Sequence, residues 1–542
     1  MPRRIRSAAG AALALSLAVL GSVVVAPAQA SSAGQHGAGL VVRTDRGAVR
    51  GAASGGVDRF LGIPYAAAPT GALRWQPPRS RTPWPGVADA TAFGNPCPVL
   101  ASTNGPRSET EDCLMVNVWR PGGTSARDGL PVHVFIHGGG LMNGSGSQMD
   151  ESKLVGETGV IGVSLNYRLG VLGFLRTPGL AAQNPDAGNA GFLDQQAALR
   201  WVQRNIGAFG GRADQVTIDG ESAGGWSVCG HLVSPRSRGL FARAMMQSGS
   251  CSSQSPARAQ ERGTAFATAA GCSDPTTAVA CLRAAPVGTL LDASGSFSAR
   301  FVSGTPTFPQ APADAVTAGH FQRVPLAIGS NRDEGRTFAQ GFIGADRTAY
   351  ESFVRGTFGD RADDVLAHYP WPATPDTFTA AYLVGAIETD AGLIAGIGGC
   401  TNRELTRTFA GWTTTYAYEF DHRTGPGLTQ IPGYVWGAGH AAELAYLWPS
   451  FNNGAPIAPL FDAGEQQLAR DMVQYWGAFT RTGHPGGPSR TDGRTAWPQF
   501  DRQGHALSLR SGGHSVVIDG RTYDAEHQCG FWATMPVIDV TA

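Results

Sequence analysis

A serine, a glycine run, an acidic pair and one late histidine have the types and spacing that acyl transfer needs. That chemistry requires a nucleophile, a base to take its proton, a carboxylate to orient the base, and donors for the developing oxyanion. The serine is Ser222 in Gly220-Glu221-Ser222-Ala223-Gly224-Gly225. A bare G-x-S-x-G is weak evidence in a chain with 74 Gly among 542 residues, and an ordinary Gly/Ser turn would also produce it. Its flanks strengthen it. Gln215-Val216-Thr217-Ile218-Asp219 reads as a strand, and Ala223, Trp226, Val228 and Leu232 can line one side of a following helix. A strand, a sharp turn and a helix would lift the hydroxyl to the top of a sheet, beside the partly positive N–H groups of the helix start.

Donors come from His137-Gly138-Gly139-Gly140, which follows a buried apolar strand. The N–H groups of Gly139, Gly140 and Ala223 would converge on one oxygen. A phosphate loop is the rival for such a glycine run, but no Lys-Ser or Lys-Thr follows it. In an α/β-hydrolase the order is serine, acid, histidine, which restricts the base to the late histidines. Among His368, His422, His440, His484, His505, His514 and His527, the one chosen is His440, on the Gly-rich loop Gly437-Ala438-Gly439-His440 just ahead of an apolar helical run. For the acid, Asp333 and Glu334 both lie past the end of a strand at a Gly-bounded loop. Adjacent residues cannot share the role, so one of them points elsewhere.

The elements that must hold these groups alternate between strand and helix. Val132–Ile136 and Val160–Asn166 read as strands buried on both faces, and Pro325–Gly329 and Thr413–Phe420 return later as strands. Between them, Phe192, Leu199, Val202 and Ile206 share one helix face, as do Leu468, Met472, Tyr475 and Phe479. Gly39–Arg50 suits a strand pair and Phe60–Tyr65 a short strand. Residues 252–325 read as helices and loops inserted above the sheet, and residues 345–412 as helical. The alternation implies an α/β fold: a central, mostly parallel sheet flanked by helices, in one catalytic domain over residues 40–542.

The N-terminus carries Arg3, Arg4 and Arg6, then an apolar run from about Ala8 to Val25, then Ala28-Gln29-Ala30. This is the pattern of a secretory signal peptide over 1–30, with a polar tail over 31–39; a retained membrane anchor is the competing reading. Removing 1–30 takes away three Arg and no acid, leaving 39 basic against 42 acidic residues. With no basic run to neutralise phosphates, nucleic acid is excluded as a partner. Eight Cys in an exported chain invite disulfides. Cys97 with Cys113 and Cys272 with Cys281 would close local loops, and Cys400 with Cys529 could tie down the C-terminal segment. Cys229 and Cys251 could pair or stay buried as thiols. No C-x-x-C or His/Cys cluster at zinc spacing is present, so no metal or cofactor is expected.

Taken together, the chain resembles the type-B carboxylesterases, the group that includes cholinesterases and bacterial p-nitrobenzyl esterases. The resemblance rests on Phe60-Leu61-Gly62-Ile63-Pro64-Tyr65, Glu111-Asp112-Cys113-Leu114, His137 to Gly140, Asn166-Tyr167-Arg168, Gly220 to Gly225, Gln247-Ser248-Gly249, Asp333-Glu334-Gly335 and Gly439-His440. It implies the α/β-hydrolase fold with helical insertions over the active site. It implies Ser222 as nucleophile, Glu334 as acid and His440 as base, with Gly139, Gly140 and Ala223 as the oxyanion hole. Bridges Cys97–Cys113 and Cys272–Cys281 follow from it, Cys400–Cys529 more loosely, and Arg168 with Asp194 as an internal ion pair. The chain departs from cholinesterases in having no aromatic residue over Ser102–Glu111, where they carry a tryptophan for the choline ammonium. Trp226 stands where a small residue is usual, and would line the pocket or join the core. The expected protein is a secreted, extracellular serine carboxylesterase acting on small-molecule esters. An extracellular lipase or polyester hydrolase is the alternative, and a non-catalytic adhesion protein of the same fold is the rival of another class. Chain length in the acyl and alcohol halves and the oligomeric state are not legible.

Overall fold

Runs rich in Val, Ile and aromatic residues between Gly and Pro punctuation become strands in the computed structural model, which describes residues 40–429, 431–486 and 493–536. The expected signal peptide and the tail over 31–39 lie outside the described residues. The strands are β1 Val41–Arg43, β2 Ala48–Arg50, β3 Ala52–Ser54, β4 Val57–Pro64, β5 Val87–Asp89, β6 Met115–Pro121, β7 Leu130–Ile136, β8 Ile161–Leu165, β9 Gly211–Glu221, β10 Arg243–Gln247, β11 Leu326–Asn331, β12 Thr415–Phe420, β13 Ala506–Leu509 and β14 Val516–Ile518. Strands β1, β2 and β5 form a small sheet, and the other eleven form one large sheet in the order β14-β13-β12-β11-β10-β9-β7-β8-β6-β4-β3.

From β8 through β13 every neighbouring pair is parallel, whereas β6, β4, β3 and β14 join antiparallel at the two edges. Parallel strands are covered by helices on both faces, which explains why β8, β11 and β12 are buried along their whole length. The chain leaves β7, forms β8 on one side, and comes back to form β9 on the other. Loops after β7 and β9 therefore start side by side at the carboxyl edge, where open α/β sheets place their ligands.

Helix Ala190–Asn205 buries Phe192, Leu199 and Val202, with Ile206 just beyond its end. Helix Ala463–Thr482 begins with a capping box of Asp462 and Glu465 and stops at Gly483, whose φ of 75° is left-handed. The stretches 252–325 and 345–412 supply helices Pro256–Ala269, Ala278–Ala284, Val287–Asp292 and Pro312–Thr317, then Arg347–Phe358, Ala362–His368, Thr379–Ala391 and Gly399–Ala410.

Three sets of covalent and ionic links tie the layers. All eight Cys are paired: Cys97–Cys113, Cys229–Cys251, Cys272–Cys281 and Cys400–Cys529. The pair whose state the sequence left open, Cys229 and Cys251, joins the helix after Ser222 to the segment after β10. Arg168 grips Asp194 through two 2.7 Å bonds inside the core. On β7, His133 is wholly buried between Glu151 at 3.2 Å and Asp219 at 3.1 Å. Burial opposes its imidazolium, but the two carboxylates prevail and push its pKa up to about 10.

Candidate active site

At the end of β9 the chain turns at Ser222, whose φ of 57° and ψ of −121° are unusual for any residue with a side chain. Helix Ala223–Val233 starts immediately, so the Ala223 N–H stands ahead of the intrahelical ladder. Ser222 N donates to Gln247 O at 3.0 Å, which ties the turn to β10. The tightness of the corner accounts for the glycine at 224: a Cβ there would collide with the Ile136 carbonyl oxygen at the end of β7.

The glycine loop after β7 lies against this corner, because a Cβ on Gly138 would meet Glu221 Oε2 at 2.7 Å and Ser222 Cβ at 3.0 Å. Gly139 and Gly140 have φ of 96° and 64°. Their N–H groups have no protein acceptor among the described residues, and the Gly139 carbonyl takes the N–H groups of Met142 and Asn143. His137 before them is neutral over a wide pH range, since burial pulls its pKa down to about 4.

His440 reaches the corner from the loop after β12. Its Nδ1 lies 2.6 Å from Glu334 Oε2, and its Nε2 lies 3.1 Å from Glu221 Oε1. No hydrogen bond joins His440 to Ser222 among the described residues; the two line the same cavity. Glu334 is fixed by Ser248 Oγ at 2.6 Å and Asn331 N at 2.7 Å, both donating to Oε1. Asp333 points elsewhere. It accepts from Arg423 at 2.7 and 2.8 Å and from Ala438 N at 3.0 Å. Burial alone would raise its carboxyl, but Arg423 and Arg336 hold it below the usual range.

Two carboxylates that the sequence reading passed over complete the cluster. Glu221 contacts His440 directly, and Glu443 accepts from Asn331 Nδ2 at 2.5 Å. Burial pushes Glu221 up to about 7 and Glu443 up to about 8, each reinforced by the charge of Glu334. His440 feels the reverse: burial opposes its charge, but Glu221 and Glu334 raise it to about 9. Glu221 adjoins Ser222 in sequence and Glu443 follows His440 by three. Those adjacencies were the only signal available.

The cavity over Ser222 measures about 520 Å³. Trp226, Phe338, Ile394, Ile397 and Leu428 supply apolar walls, and Asn104, Asn143, Gln148 and Asn453 supply uncharged polar ones. Trp226 thus belongs to both readings, since it lines the cavity and is 4% exposed. A larger hollow of about 900 Å³ over Arg403 and Asp524 lies elsewhere and has none of these groups. Among the described residues no His, Cys, Asp and Glu group could hold a metal ion.

The Carboxylesterase family profile matches residues 38–532. The chain is similar to a fumonisin B1 esterase from Sphingopyxis macrogoltabida, 33% identical over 87% of this chain and 86% of that protein. It is 34% identical to an acylcarnitine hydrolase from Mus musculus over 84% and 83% of the two chains. It is 33% identical to a cocaine esterase from Homo sapiens over 92% of each.

Proposed function

The chain belongs to the carboxylesterase family of α/β-hydrolases and is a carboxylic ester hydrolase, and from that premise we propose that it works through an acyl-enzyme on Ser222. The observation that carries the proposal is the meeting of Ser222, His440 and the Gly138–Gly140 loop in one cavity, with Glu334 Oε2 2.6 Å behind His440 Nδ1. Neutral His440 takes the Ser222 proton through Nε2 as Oγ attacks the ester carbon. The carbonyl oxygen becomes an oxyanion, held by the N–H groups of Gly139, Gly140 and Ala223. Collapse breaks the ester C–O bond, and His440 returns the proton to the departing alcohol. A water activated by the same histidine then attacks the acyl carbon, releasing the acid and restoring Ser222. Glu334 orients the imidazole and stabilises its charged form.

The proposal extends to location and organisation. A signal peptide over 1–30 is removed, a tail over 31–39 follows, and one catalytic domain over 40–542 works outside the cell. Four disulfides support an oxidising compartment. No helix among the described residues is long and apolar enough to cross a membrane.

Intact mass after treatment with a fluorophosphonate tests the nucleophile. One adduct is expected on the native chain and none on Ser222→Ala; labelling of both at equal rates would overturn the assignment. A series of p-nitrophenyl esters from acetate to palmitate separates the esterase reading from the lipase alternative.

A further inference from the structure

Three of the side-chain amides that line the cavity, those of Gln148, Asn104 and Asn143, are joined in sequence. Residues 102–105 fold back on themselves, with Ser102 N donating to Gly105 O at 2.9 Å and Gly105 N to Ser102 O at 3.1 Å. This tip lies inside the loop closed by Cys97–Cys113 and brings Asn104 to the cavity. Gln148 Nε2 donates to Asn104 Oδ1 at 3.3 Å, and Asn104 Nδ2 donates to Asn143 Oδ1 at 2.7 Å. Gln148 Oε1 is itself occupied by Ser145 N at 3.2 Å. Each carboxamide has two N–H donors, so the ladder consumes its oxygens while leaving donors unspent. Asn143 Nδ2 makes no hydrogen bond among the described residues, and Asn104 and Gln148 each keep one N–H.

The lining contains no Lys or Arg, and its one carboxylate, Glu221, sits at the corner beside His440. A charged alcohol or acyl group would find no counter-ion at the ladder. Of the apolar walls, Trp226, Ile397 and Leu428 are buried while Ile394 is half-buried and Phe338 exposed; Asn104, Asn143 and Gln148 are all half-buried and so open to water. The acyl half stays on the enzyme after the first step and is matched by the buried apolar walls, Trp226, Ile397 and Leu428. The alcohol half leaves to water and belongs at the half-buried amides.

We infer that the Gln148–Asn104–Asn143 ladder is a specificity-determining subsite that donates hydrogen bonds to a neutral, hydroxyl-bearing alcohol moiety, making esters of an apolar acid with a polyol the preferred substrate class. This rests on the Ser222 reading. A site that pairs substrate hydroxyls rejects the analogue lacking them, because its own donors are then left desolvated and unpaired.

The test compares glyceryl monobutyrate with propyl butyrate, which differ only in two alcohol-side hydroxyls. The expected ratio of kcat/KM favours the glyceryl ester roughly tenfold, the yield of about two neutral hydrogen bonds. In Asn104→Leu the ratio falls toward one. Equal kcat/KM for the two esters on the native protein would overturn the inference while leaving Ser222 untouched. An equal proportional loss for both esters in Asn104→Leu would also overturn it, since that marks a brace for the Asn143 and Gly139 turn and nothing more. Should Asn104→Leu fail to fold, Gln148→Leu removes the next amide and is read by the same ratio. Turnover of neither ester, with no fluorophosphonate adduct on the native chain, would overturn both readings together.

Discussion

In the proposed mechanism His440 is the residue on which the chemistry turns, and its surroundings set when it can act. Glu221 and Glu334 favour the imidazolium, which is not a base. The acid limb of kcat/KM is therefore expected to have its midpoint above 6.5, the ordinary histidine value. Replacing Glu221 with Gln removes one of these attractions and should move that midpoint downward; a pH profile showing no shift would disprove the electrostatic account. The acidic pair provides a second prediction. Glu334→Gln should lower turnover on the order of 10⁴-fold, because an amide no longer stabilises the imidazolium. Asp333→Asn should keep turnover, since Asp333 faces Arg423 and Arg336. The reverse pattern, with both variants folded by circular dichroism, would move the acid by one residue. Ser222 and His440 stood out as candidates because each lies in a glycine-marked turn, whereas the same kind of turn holds both Asp333 and Glu334, and only the family resemblance pointed to Glu334. Glu221 and Glu443 lie in the same stretches without any local mark: what gives a carboxylate its role is convergence with groups roughly a hundred to two hundred residues away, and no local pattern records that.

At the scale of elements, the site depends on how closely helix Ala223–Val233 approaches the end of β7. Gly224→Ala puts a methyl group into the Ile136 carbonyl, and Ile136 cannot yield because it pairs in register with Gly220. A loss of about 3 kcal/mol or more is expected in urea unfolding, together with slower fluorophosphonate labelling. Near-native stability would mean that the helix can slide, against the geometry described. Buried parallel strands announced themselves as apolar runs, and amphipathic helices by their period, so the α/β alternation was readable. Strands β13 and β14, four and three residues long, were not. Strand order was equally invisible, since registers such as Ile136 with Gly220 join residues more than eighty apart. The Cys229–Cys251 bond escaped for a related reason: both Cys sit on elements whose packing the sequence does not state.

Across the whole molecule, buried ionisable groups predict how stability depends on pH. His133, His440 and His527 are raised to about 10, 9 and 9, because neighbouring carboxylates overcome burial. Their contribution is complete below 6.5 and is lost as pH rises through 9 to 10. Burial raises Glu221 and Glu388 to about 7 and Glu443 to about 8; these favour the folded state below 4.5 and lose that effect as pH rises through 7 to 8. His137 and His231 run the other way. Burial lowers them to about 4 and 3, so their contribution is present above 6.5 and lost as pH falls through those values. The urea midpoint should therefore be higher at pH of about 5.5 than at pH of about 10. A midpoint that climbs across this interval would contradict the assignment of charge in the core.

The backbone at Ser222 has one more consequence. A φ of 57° with a ψ of −121° is comfortable only for glycine, and holding a serine there costs on the order of 1–3 kcal/mol. Ser222→Gly should remove ester turnover and yet match or exceed the native melting temperature in calorimetry, with a clear drop refuting the strain. Heat tolerance and turnover are then selected in opposite directions at a single codon. A laboratory screen that scored survival on heating alone would be free to discard the proposed nucleophile, and it would report the inert chain as the improved one.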